Sequence, residues 1–260
     1  YRRILTGSPV TKSPLDLYSQ CAFLDEELLG HASYYSFRNR YAHMIDRNFG
    51  GRRVQIVGSY KRLDELEEIL KEFSYRVQKK DCLDLPKKIF INRTVELTQE
   101  QNKAYQTMKS AALAQLNGKL ATAPHTLTQL MRLHQITCGH FKSDDGEITN
   151  LKHNRITELM DVMDEMEGKV IIWANYIHDI EEIVKTVKKK YGDDSIVQYY
   201  GAISSDDRQK AIKLFQDPKS SVKYFVGNTQ TGGYGITLTA ASNVVYYSNS
   251  YDLEKRLQSE

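Results

Sequence analysis

Val170-Ile171-Ile172-Trp173 is the stretch that decides the fold class of this chain. Four consecutive apolar residues are typical of a strand buried on both faces, because a strand with one wet face alternates apolar and polar side chains. Apolar residues at helical spacing precede it, from Ile156 to Met163, and a second helical pattern follows it, from Ile177 to Val187. The sequence therefore predicts a helix, a buried strand and another helix in succession.

The same alternation continues toward the carboxyl terminus. Apolar runs at Ile196–Tyr200, Tyr224–Val226 and Val244–Tyr247 predict three more strands. Ser204-Ser205-Asp206-Asp207 has the spacing of a capping box, which predicts the start of a helix carrying Phe215. Strands that alternate with helices imply an α/β fold with a parallel sheet covered on both faces. Such a sheet binds ligands beyond the carboxyl ends of its strands.

The sequence from about residue 60 to residue 140 predicts mainly helices and their connections. Apolar stripes mark one helix from Leu63 to Leu70 and a longer one from Leu97 to Leu116. Asp84-Leu85-Pro86-Lys87-Lys88 predicts an extended interruption, because Pro86 disfavours the helical conformation in the residue before it. Ala121-Thr122-Ala123-Pro124 predicts a loop.

The two ends of the chain predict that it is a piece of a longer protein. Arg3-Ile4-Leu5 has the character of a strand, yet no earlier strand could pair with it. At the other end a helix that begins at Asp252 has room for only two turns.

Composition excludes fibrous, disordered and membrane-spanning classes. The 260 residues are 40% hydrophobic and 27% charged. No apolar run approaches the roughly 18 residues that a membrane span needs, and no signal peptide is evident. We therefore expect an intracellular protein without a membrane partner, cytoplasmic in a bacterial or phage-infected cell and nuclear in a eukaryotic one. Three cysteines, an odd number, predict reduced thiols rather than a disulfide framework.

Charge alone does not identify a nucleic-acid-binding protein, because the formal net charge is only +3. The distribution is uneven, since residues 1–62 contain ten Lys and Arg against five acidic residues. This surplus predicts either a surface that faces phosphates or an ordinary solvated helix face.

Seven segments, in order along nearly the whole chain, resemble motifs of the Swi/Snf-type family of superfamily 2 helicases and DNA translocases. They are Leu5-Thr6-Gly7-Ser8-Pro9 with the helix after it, Arg76–Lys88, Leu97-Thr98-Gln99-Glu100-Gln101 with Tyr105, Leu130–Cys138, Lys169–Trp173, and Tyr200–Ser204 with Arg208-Gln209, followed by the fifth helicase motif at Thr229–Leu238.

The resemblance implies a RecA-like parallel-sheet lobe, the second helicase lobe, with helical insertions and a remnant of the first lobe. Residues 1–28 would end the first lobe, residues 29–96 would form a connecting and helical segment, and residues 97–260 would form the second lobe with a helical protrusion, stopping before its last motif. Thr237 stands where the family usually has Asn. Ser248-Asn249-Ser250-Tyr251-Asp252 replaces the usual Asp-x-x-Trp-Asn-Pro, a variant associated with phage and bacterial members.

By resemblance, the whole protein hydrolyses ATP with Mg²⁺ in order to move along double-stranded DNA without sequence preference. This chain contains neither the Gly-x-x-x-x-Gly-Lys-Ser/Thr loop nor the Asp-Glu-x-His motif that hold ATP and Mg²⁺ in the family. We therefore expect the isolated chain to bind no ATP or metal, to contain no catalytic residue and to be inactive.

Backbone N–H groups and small hydroxyls at turns can grip phosphates without regard to base sequence. The glycine-rich turn that follows the third strand offers such groups, and so does the turn that follows the second. The resemblance assigns contacts with DNA phosphates to Gly201, Ser204, Thr229, Gly232 and Gly233. It assigns contacts with the nucleotide to Gly235, Thr237 and Gln258, and coupling of the two sites to Thr6, Gly7 and Ser8.

Other interpretations of these residues remain open. His134, Cys138 and His140 have a spacing that could hold zinc, although a fourth ligand is not evident. The glycine turn could be a plain strand-to-helix connection, or part of a dinucleotide site in an unrelated nucleotide enzyme. Trp173 and the tyrosines of the strands fit a packed core as well as a base-stacking surface. A non-catalytic nucleic-acid-binding or interaction module is the remaining alternative function.

Overall fold

The computed structural model describes residues 1–49, 51–82, 84, 87–118, 123–143, 145–233 and 235–260. It divides into two compact units, residues 1–90 (unit 1) and residues 91–260 (unit 2). The division lies six residues before the limit at residue 97 that the sequence predicts, whereas the predicted limit after residue 28 falls inside unit 1.

Unit 1 combines helices with a two-stranded hairpin. Its elements, after a short 3₁₀ turn at Pro14–Asp16, are α1 (Leu17–Leu24), α2 (Tyr34–Tyr41), β1 (Ala42–Phe49), β2 (Arg52–Tyr60), α3 (Leu63–Phe73) and α4 (Lys79–Cys82). Strands β1 and β2 pair in antiparallel fashion. A small core of Leu15, Leu17, Cys21, Leu29, Phe37, Tyr41, Ala42 and Leu66 holds the helices and the base of the hairpin together.

Two features of unit 1 differ from the sequence-based expectations. The hairpin lies where only a connecting and helical segment was predicted, because its strands are largely exposed and lack the apolar pattern of a buried sheet. The strand predicted at residues 3–5 is wrong, since this segment has no regular structure. A strand requires a hydrogen-bonded neighbour, and these residues have none among those that the structure describes.

Unit 2 contains the predicted alternation of helices and strands. It begins with α5 (Gln99–Gly118), α6 (Ala123–Cys138) and a hairpin of β3 (His140–Lys142) and β4 (Ile148–Asn150). There follow α7 (Arg155–Glu165), β5 (Lys169–Trp173), α8 (Ile177–Tyr191), β6 (Ile196–Tyr199), α9 (Ser205–Gln216), β7 (Tyr224–Gly227), α10 (Thr229–Gly232), β8 (Ala241–Tyr246) and α11 (Leu253–Gln258).

Strands β5 to β8 form one sheet in the order β6-β7-β5-β8, and all three pairings are parallel. Side chains of β5 alternate between the two faces. Val170 and Ile172 join the core cluster that includes α7 and α8, whereas Ile171 and Trp173 join a second cluster with Phe215 of α9. Both faces are covered, which explains the unbroken apolar run and confirms the predicted parallel α/β sheet.

Parts of three expectations lie outside the described residues. These are Leu85-Pro86 in the predicted extended stretch, Ala121-Thr122 in the predicted loop, and Tyr234 in the glycine turn. The second half of that predicted loop instead begins α6 at Ala123.

No helix in the described part of the chain combines the length and the apolar character that crossing a membrane requires.

Candidate nucleic-acid interface

The carboxyl ends of the four parallel strands meet at one edge of the sheet of unit 2. We call the segments 174–176, 200–204, 227–233 and 247–250 the carboxyl edge. The backbone N–H of Asn228 donates to the carbonyl of Tyr199 (3.1 Å), and its side-chain amide donates to the carbonyl of Asn175 (2.7 Å). The N–H of Asn175 donates in turn to the hydroxyl of Ser248 (2.8 Å). These bonds join the segments that follow all four strands, and sequence reasoning had not singled out Asn175 or Asn228.

Ser204 caps the helix that follows β6. Its hydroxyl accepts a hydrogen bond from the N–H of Asp207 (3.1 Å) and lies 2.8 Å from a carboxylate oxygen of the same residue, to which it donates. This hydrogen bond is the main reason that the pKa of Asp207 is lowered, with Lys210 adding to the effect. The predicted helix start is confirmed. The hydroxyl that was expected to meet a phosphate is thus already engaged in the cap.

The turn after β7 uses its glycine N–H groups internally. Asn228 caps α10 by accepting from the N–H of Gln230 (2.7 Å). The N–H of Gly232 donates to the carbonyl of Asn228 (2.9 Å), and that of Gly233 donates to the carbonyl of Thr229 (2.8 Å). A helical turn therefore engages both N–H groups, and the contact of these glycines with a phosphate stays a prediction.

Steric contacts explain why glycine occupies these positions. A Cβ at Gly232 would lie 2.8 Å from the indole of Trp173, and one at Gly233 would lie 2.4 Å from the carbonyl oxygen of Thr229. Gly233 has a φ of −72°, so backbone strain is not the reason there. Gly235 differs, since its φ of +71° lies in the left-handed region that favours glycine.

Gly201 lies beside the turn after β7. A Cβ built on it would meet nothing closer than the hydroxyl of Thr231, at 3.8 Å. The structure therefore brings Gly201, Ser204, Thr229, Gly232 and Gly233 to the same edge of the sheet, as the sequence predicted. Arg208 of α9 contributes a cation near this edge, 5.6 Å from the ring centroid of Tyr199.

Trp173 is a core residue that also connects the sheet to the last helix. Its side chain is buried, and its indole N–H donates to the carbonyl of Ser259 (3.1 Å). The hydroxyl of Tyr246 bonds to that of Ser259 (2.8 Å), and Arg256 stacks on the Tyr246 ring. These tyrosine and tryptophan side chains pack and hydrogen-bond inside unit 2, as the core interpretation predicted.

Thr237 and Gln258, two of the three residues assigned to the nucleotide, have separate hydrogen-bond partners. The carbonyl of Thr237 accepts a hydrogen bond from the side chain of Gln216 (3.1 Å), which is the last residue of α9. The end of α9 lies beside the amino end of β5, because Lys169 donates to the carbonyl of Phe215. Thr237 therefore lies toward the amino ends of the strands, away from the carboxyl edge. Gln258 is exposed on α11 and donates to Glu254 (3.1 Å).

Thr6, Gly7 and Ser8 lie in unit 1, in a segment without regular structure. The N–H of Ser8 donates to the hydroxyl of Thr6 (3.1 Å), and nothing approaches the position of a Cβ on Gly7. Their coupling role stays a prediction.

A buried polar network beneath the carboxyl edge was not foreseen. Asp179 of α8 is fully buried, its carboxylate accepts from the hydroxyl of Ser248 (3.0 Å), and it lies 3.2 Å from the Nδ1 atom of His140. His178 lies beside His140 and bonds to Asn150 (2.7 Å). Ser248 gave a sequence signal through its place in the segment that departs from the family pattern, and His140 gave one through its spacing from His134 and Cys138.

The structure does not support the zinc interpretation as the sequence suggested it. Among the described residues, the group whose ligand atoms all lie within 4.8 Å of one another is His140, His178 and Asp179, without His134 or Cys138. Burial raises the pKa of the Cys138 thiol to about 12, which disfavours the thiolate that zinc requires. His134 instead bonds to the hydroxyl of Tyr176 (2.9 Å).

The residues of this chain do not fit a complete ATP and Mg²⁺ site. The sequence lacks the lysine-bearing phosphate loop and the paired acidic residues, and Thr237 lies in the connection before β8 whereas Gln258 lies on α11. No catalytic step can therefore be derived from the side chains present.

Comparisons with known proteins agree with the fold and the order of motifs. The YwqA protein of Bacillus subtilis is 26% identical over 94% of this chain and 26% of its own length. The ATP-dependent DNA helicase DDM1 of Arabidopsis thaliana is 24% identical over 98% of this chain and 36% of its own length. The chain thus spans about a quarter to a third of the length of these two relatives. One relative is bacterial and the other is eukaryotic, so they do not decide between a bacterial and a eukaryotic source for this chain.

The Sulfolobus solfataricus SWI2/SNF2 ATPase core domain has a similar fold, with a TM-score of 0.56 and 24% identity, covering 98% of this chain and 52% of that one. The predicted RecA-like fold is thereby confirmed. The model of the SNF2-related domain matches residues 1–142, and that of the helicase conserved C-terminal domain matches residues 152–260. Since the first match alone covers more than half of the chain, the protein belongs to the SNF2-related family of helicases, as its motifs predicted.

Proposed function

We propose that the protein to which this chain belongs hydrolyses ATP to move along double-stranded DNA, and that the carboxyl edge of unit 2 holds phosphates of the tracked strand. The observation that carries the proposal is the convergence of two turns, after β6 and β7, at neighbouring strand ends. A Cβ on Gly201 would lie 3.8 Å from Thr231, and Asn228 bonds to Tyr199. Two adjacent turns can follow consecutive phosphates without reading bases.

The hydrogen-bond donors that we assign to the phosphate are not the N–H groups of Gly232 and Gly233. We assign the phosphate contact to the hydroxyl of Thr229 and to the amino end of α9, where the first N–H groups of a helix have no intrahelical acceptor. Gly232 and Gly233 shape the turn. The carboxylates of Asp206 and Asp207 would repel a phosphate at the amino end of α9. Lys210 offsets this repulsion by pairing with Asp207 (3.2 Å), and Arg208 adds a positive charge.

ATP and Mg²⁺ are proposed for the whole protein and not for this chain alone. The family relationship supports ATP use, whereas the phosphate loop and the metal-binding acids are missing from these 260 residues. Titration calorimetry of the chain with ATP and Mg²⁺ should show no micromolar binding. We propose an intracellular location on the same basis, without choosing between cytoplasm and nucleus.

The test of the DNA contact compares Thr229→Ala with the wild-type chain by fluorescence anisotropy. Removing a hydrogen bond to a charged phosphate costs about 1.5–3 kcal/mol, so affinity for duplex DNA should fall by roughly 10- to 150-fold. Binding of the wild type should weaken steeply with salt and be equal for unrelated sequences.

Thr186→Ala is the matched control, because the hydroxyl of Thr186 donates to the carbonyl of Glu182 within α8, at a partly buried position. It should bind DNA as the wild type does. Equal affinities of Thr229→Ala and wild type would remove the assignment of Thr229, and binding that is indifferent to salt or selective for sequence would contradict the proposed function itself.

A further inference from the structure

The hairpin β1–β2 extends away from the core of unit 1. Its base is anchored, since Ala42 is buried, Met44 and Val57 pack against the core, and the hydroxyl of Tyr60 donates to Ser13 (2.9 Å). Beyond Ile45 every described residue of β1 up to Asn48 is exposed, as are the residues of β2 from Arg52 to Gln55. Eight to nine residues per strand give a ribbon about 26 Å long, at roughly 3.3 Å per residue.

The pairing register assigns each side chain of the ribbon to a face, because residues opposite each other in an antiparallel ladder share one. Met44 pairs with Val57, and both contact the core, so this defines the core-side face. The opposite face, which we call the outer face, carries Ile45, Arg47, Arg52, Val54 and Ile56.

Charge is segregated between these two faces. Arg53, on the core-side face, pairs with Asp46 of the same face at 2.5 Å. Arg47 and Arg52, on the outer face, make no ion pair within the described part of the chain. The outer face contains no acidic residue at all, so two uncompensated guanidinium groups flank exposed Ile45 and Val54, which are 41% and 42% exposed.

We propose that the outer face of the β1–β2 hairpin is a second DNA-binding surface, in which Arg47 and Arg52 contact phosphates of the duplex. Arginine favours phosphate because its planar guanidinium can donate two parallel hydrogen bonds. A two-stranded ribbon also fits the major groove, which is about 12 Å wide. The surface lies in unit 1 and is distinct from the carboxyl edge of unit 2. The inference rests on the proposed function, since it takes duplex DNA as the ligand.

Three variants of the chain test the inference by anisotropy with a duplex of arbitrary sequence at several salt concentrations. Arg47→Gln/Arg52→Gln should lower the slope of log affinity against log salt by about 2, and lower affinity at 0.1 M salt on the order of 50-fold, because each phosphate contact contributes about 0.9 to the slope. Arg53→Gln, the same change on the core-side face, should alter neither quantity. Circular dichroism checks that all variants are folded.

Thr229→Ala, measured alongside, separates this inference from the proposed function. If Thr229→Ala weakens binding while Arg47→Gln/Arg52→Gln binds with an unchanged slope, the hairpin surface is refuted and the carboxyl edge stands. If Arg53→Gln lowers the slope of log affinity against log salt as much as one outer-face substitution does, DNA binding depends on the total positive charge of the hairpin. The assignment of DNA binding to the outer face is then wrong. If the wild-type chain binds no duplex, both proposals are lost.

Discussion

At the scale of single residues, the glycines of the turn after β7 leave room for neighbouring groups that a side chain would meet. Gly232 leaves room for the ring of Trp173, which lies 59 positions earlier in the chain, and Gly233 leaves room for the carbonyl of Thr229. A larger side chain at Gly233 would distort the turn itself. Gly233→Val therefore cannot separate loss of DNA contact from loss of structure.

Gly232→Ala should destabilise unit 2 because its Cβ would lie 2.8 Å from the indole of Trp173. Overpacking of this kind costs about 1–3 kcal/mol of the free energy of unfolding. Urea unfolding followed by tryptophan fluorescence measures it, since Trp173 is the only tryptophan. Gly201→Ala, where the nearest atom is 3.8 Å away, is the matched control and should cost less than about 0.5 kcal/mol. Equal stabilities of the two variants would show that Trp173 does not require glycine at position 232.

At the scale of elements, each strand of the sheet delivers a short polar segment to the carboxyl edge, and capping residues define where the following helices begin. Ser204 caps α9 and Asn228 caps α10. Both caps are local signals in the sequence. The hydrogen bonds between the segments, from Asn228 to Asn175 and from Asn175 to Ser248, come from positions 53 and 73 residues apart.

Ser204 is a position where stability and DNA binding can be separated. Ser204→Ala removes the cap and should lower the free energy of unfolding by about 1 kcal/mol. Ser204→Asp keeps a capping oxygen and should be nearly as stable as the wild type, but its negative charge should repel the phosphate and weaken DNA binding. Urea unfolding and anisotropy measure the two effects.

Ser205→Ala is the control for both measurements, because Ser205 is exposed and follows the cap. It should change stability by less than about 0.5 kcal/mol. A Ser204→Asp variant that is stable and binds DNA with undiminished affinity would place the phosphate away from the amino end of α9.

At the scale of the whole molecule, partly buried histidines of unit 2 should make stability depend on pH. Burial lowers the pKa of His134 below its usual 6.5, with the charge of Arg155 adding to the effect. Burial likewise lowers the pKa of His178, beside His140. The unfolded chain therefore binds protons at a higher pH than the folded one does. Their contribution to stability is present above about pH 6.5 and is lost as the pH falls toward the folded pKa values.

Urea unfolding at pH 7.5, 6.5 and 5.5 should therefore show stability decreasing toward acid pH. His134→Gln should reduce this dependence, since a glutamine side chain can still accept from Tyr176 but does not titrate. His43→Gln, at an exposed position of β1, is the matched control. If His134→Gln and wild type lose equal stability between pH 7.5 and 5.5, His134 is not a source of the effect.

The sequence by itself determined the elements whose signals lie within a few residues. The strand at Val170–Trp173, the cap at Ser204 and the order of family motifs could be read directly, because apolar period, capping and turn chemistry act over one or two turns of chain. They were enough to predict the parallel α/β fold and the edge of the sheet that carries the two turns after β6 and β7.

Only the tertiary structure decided which hydrogen-bonding atoms at that edge are not already used within the protein. It showed that the N–H groups of Gly232 and Gly233 are consumed, that Trp173 excludes a side chain at Gly232, and that Asp179 is buried against His140 and Ser248. It also revealed the β1–β2 hairpin and its charged outer face. These features depend on contacts between residues distant in the chain, and a linear pattern does not encode which distant side chains meet, because that is set by the packing of the whole unit.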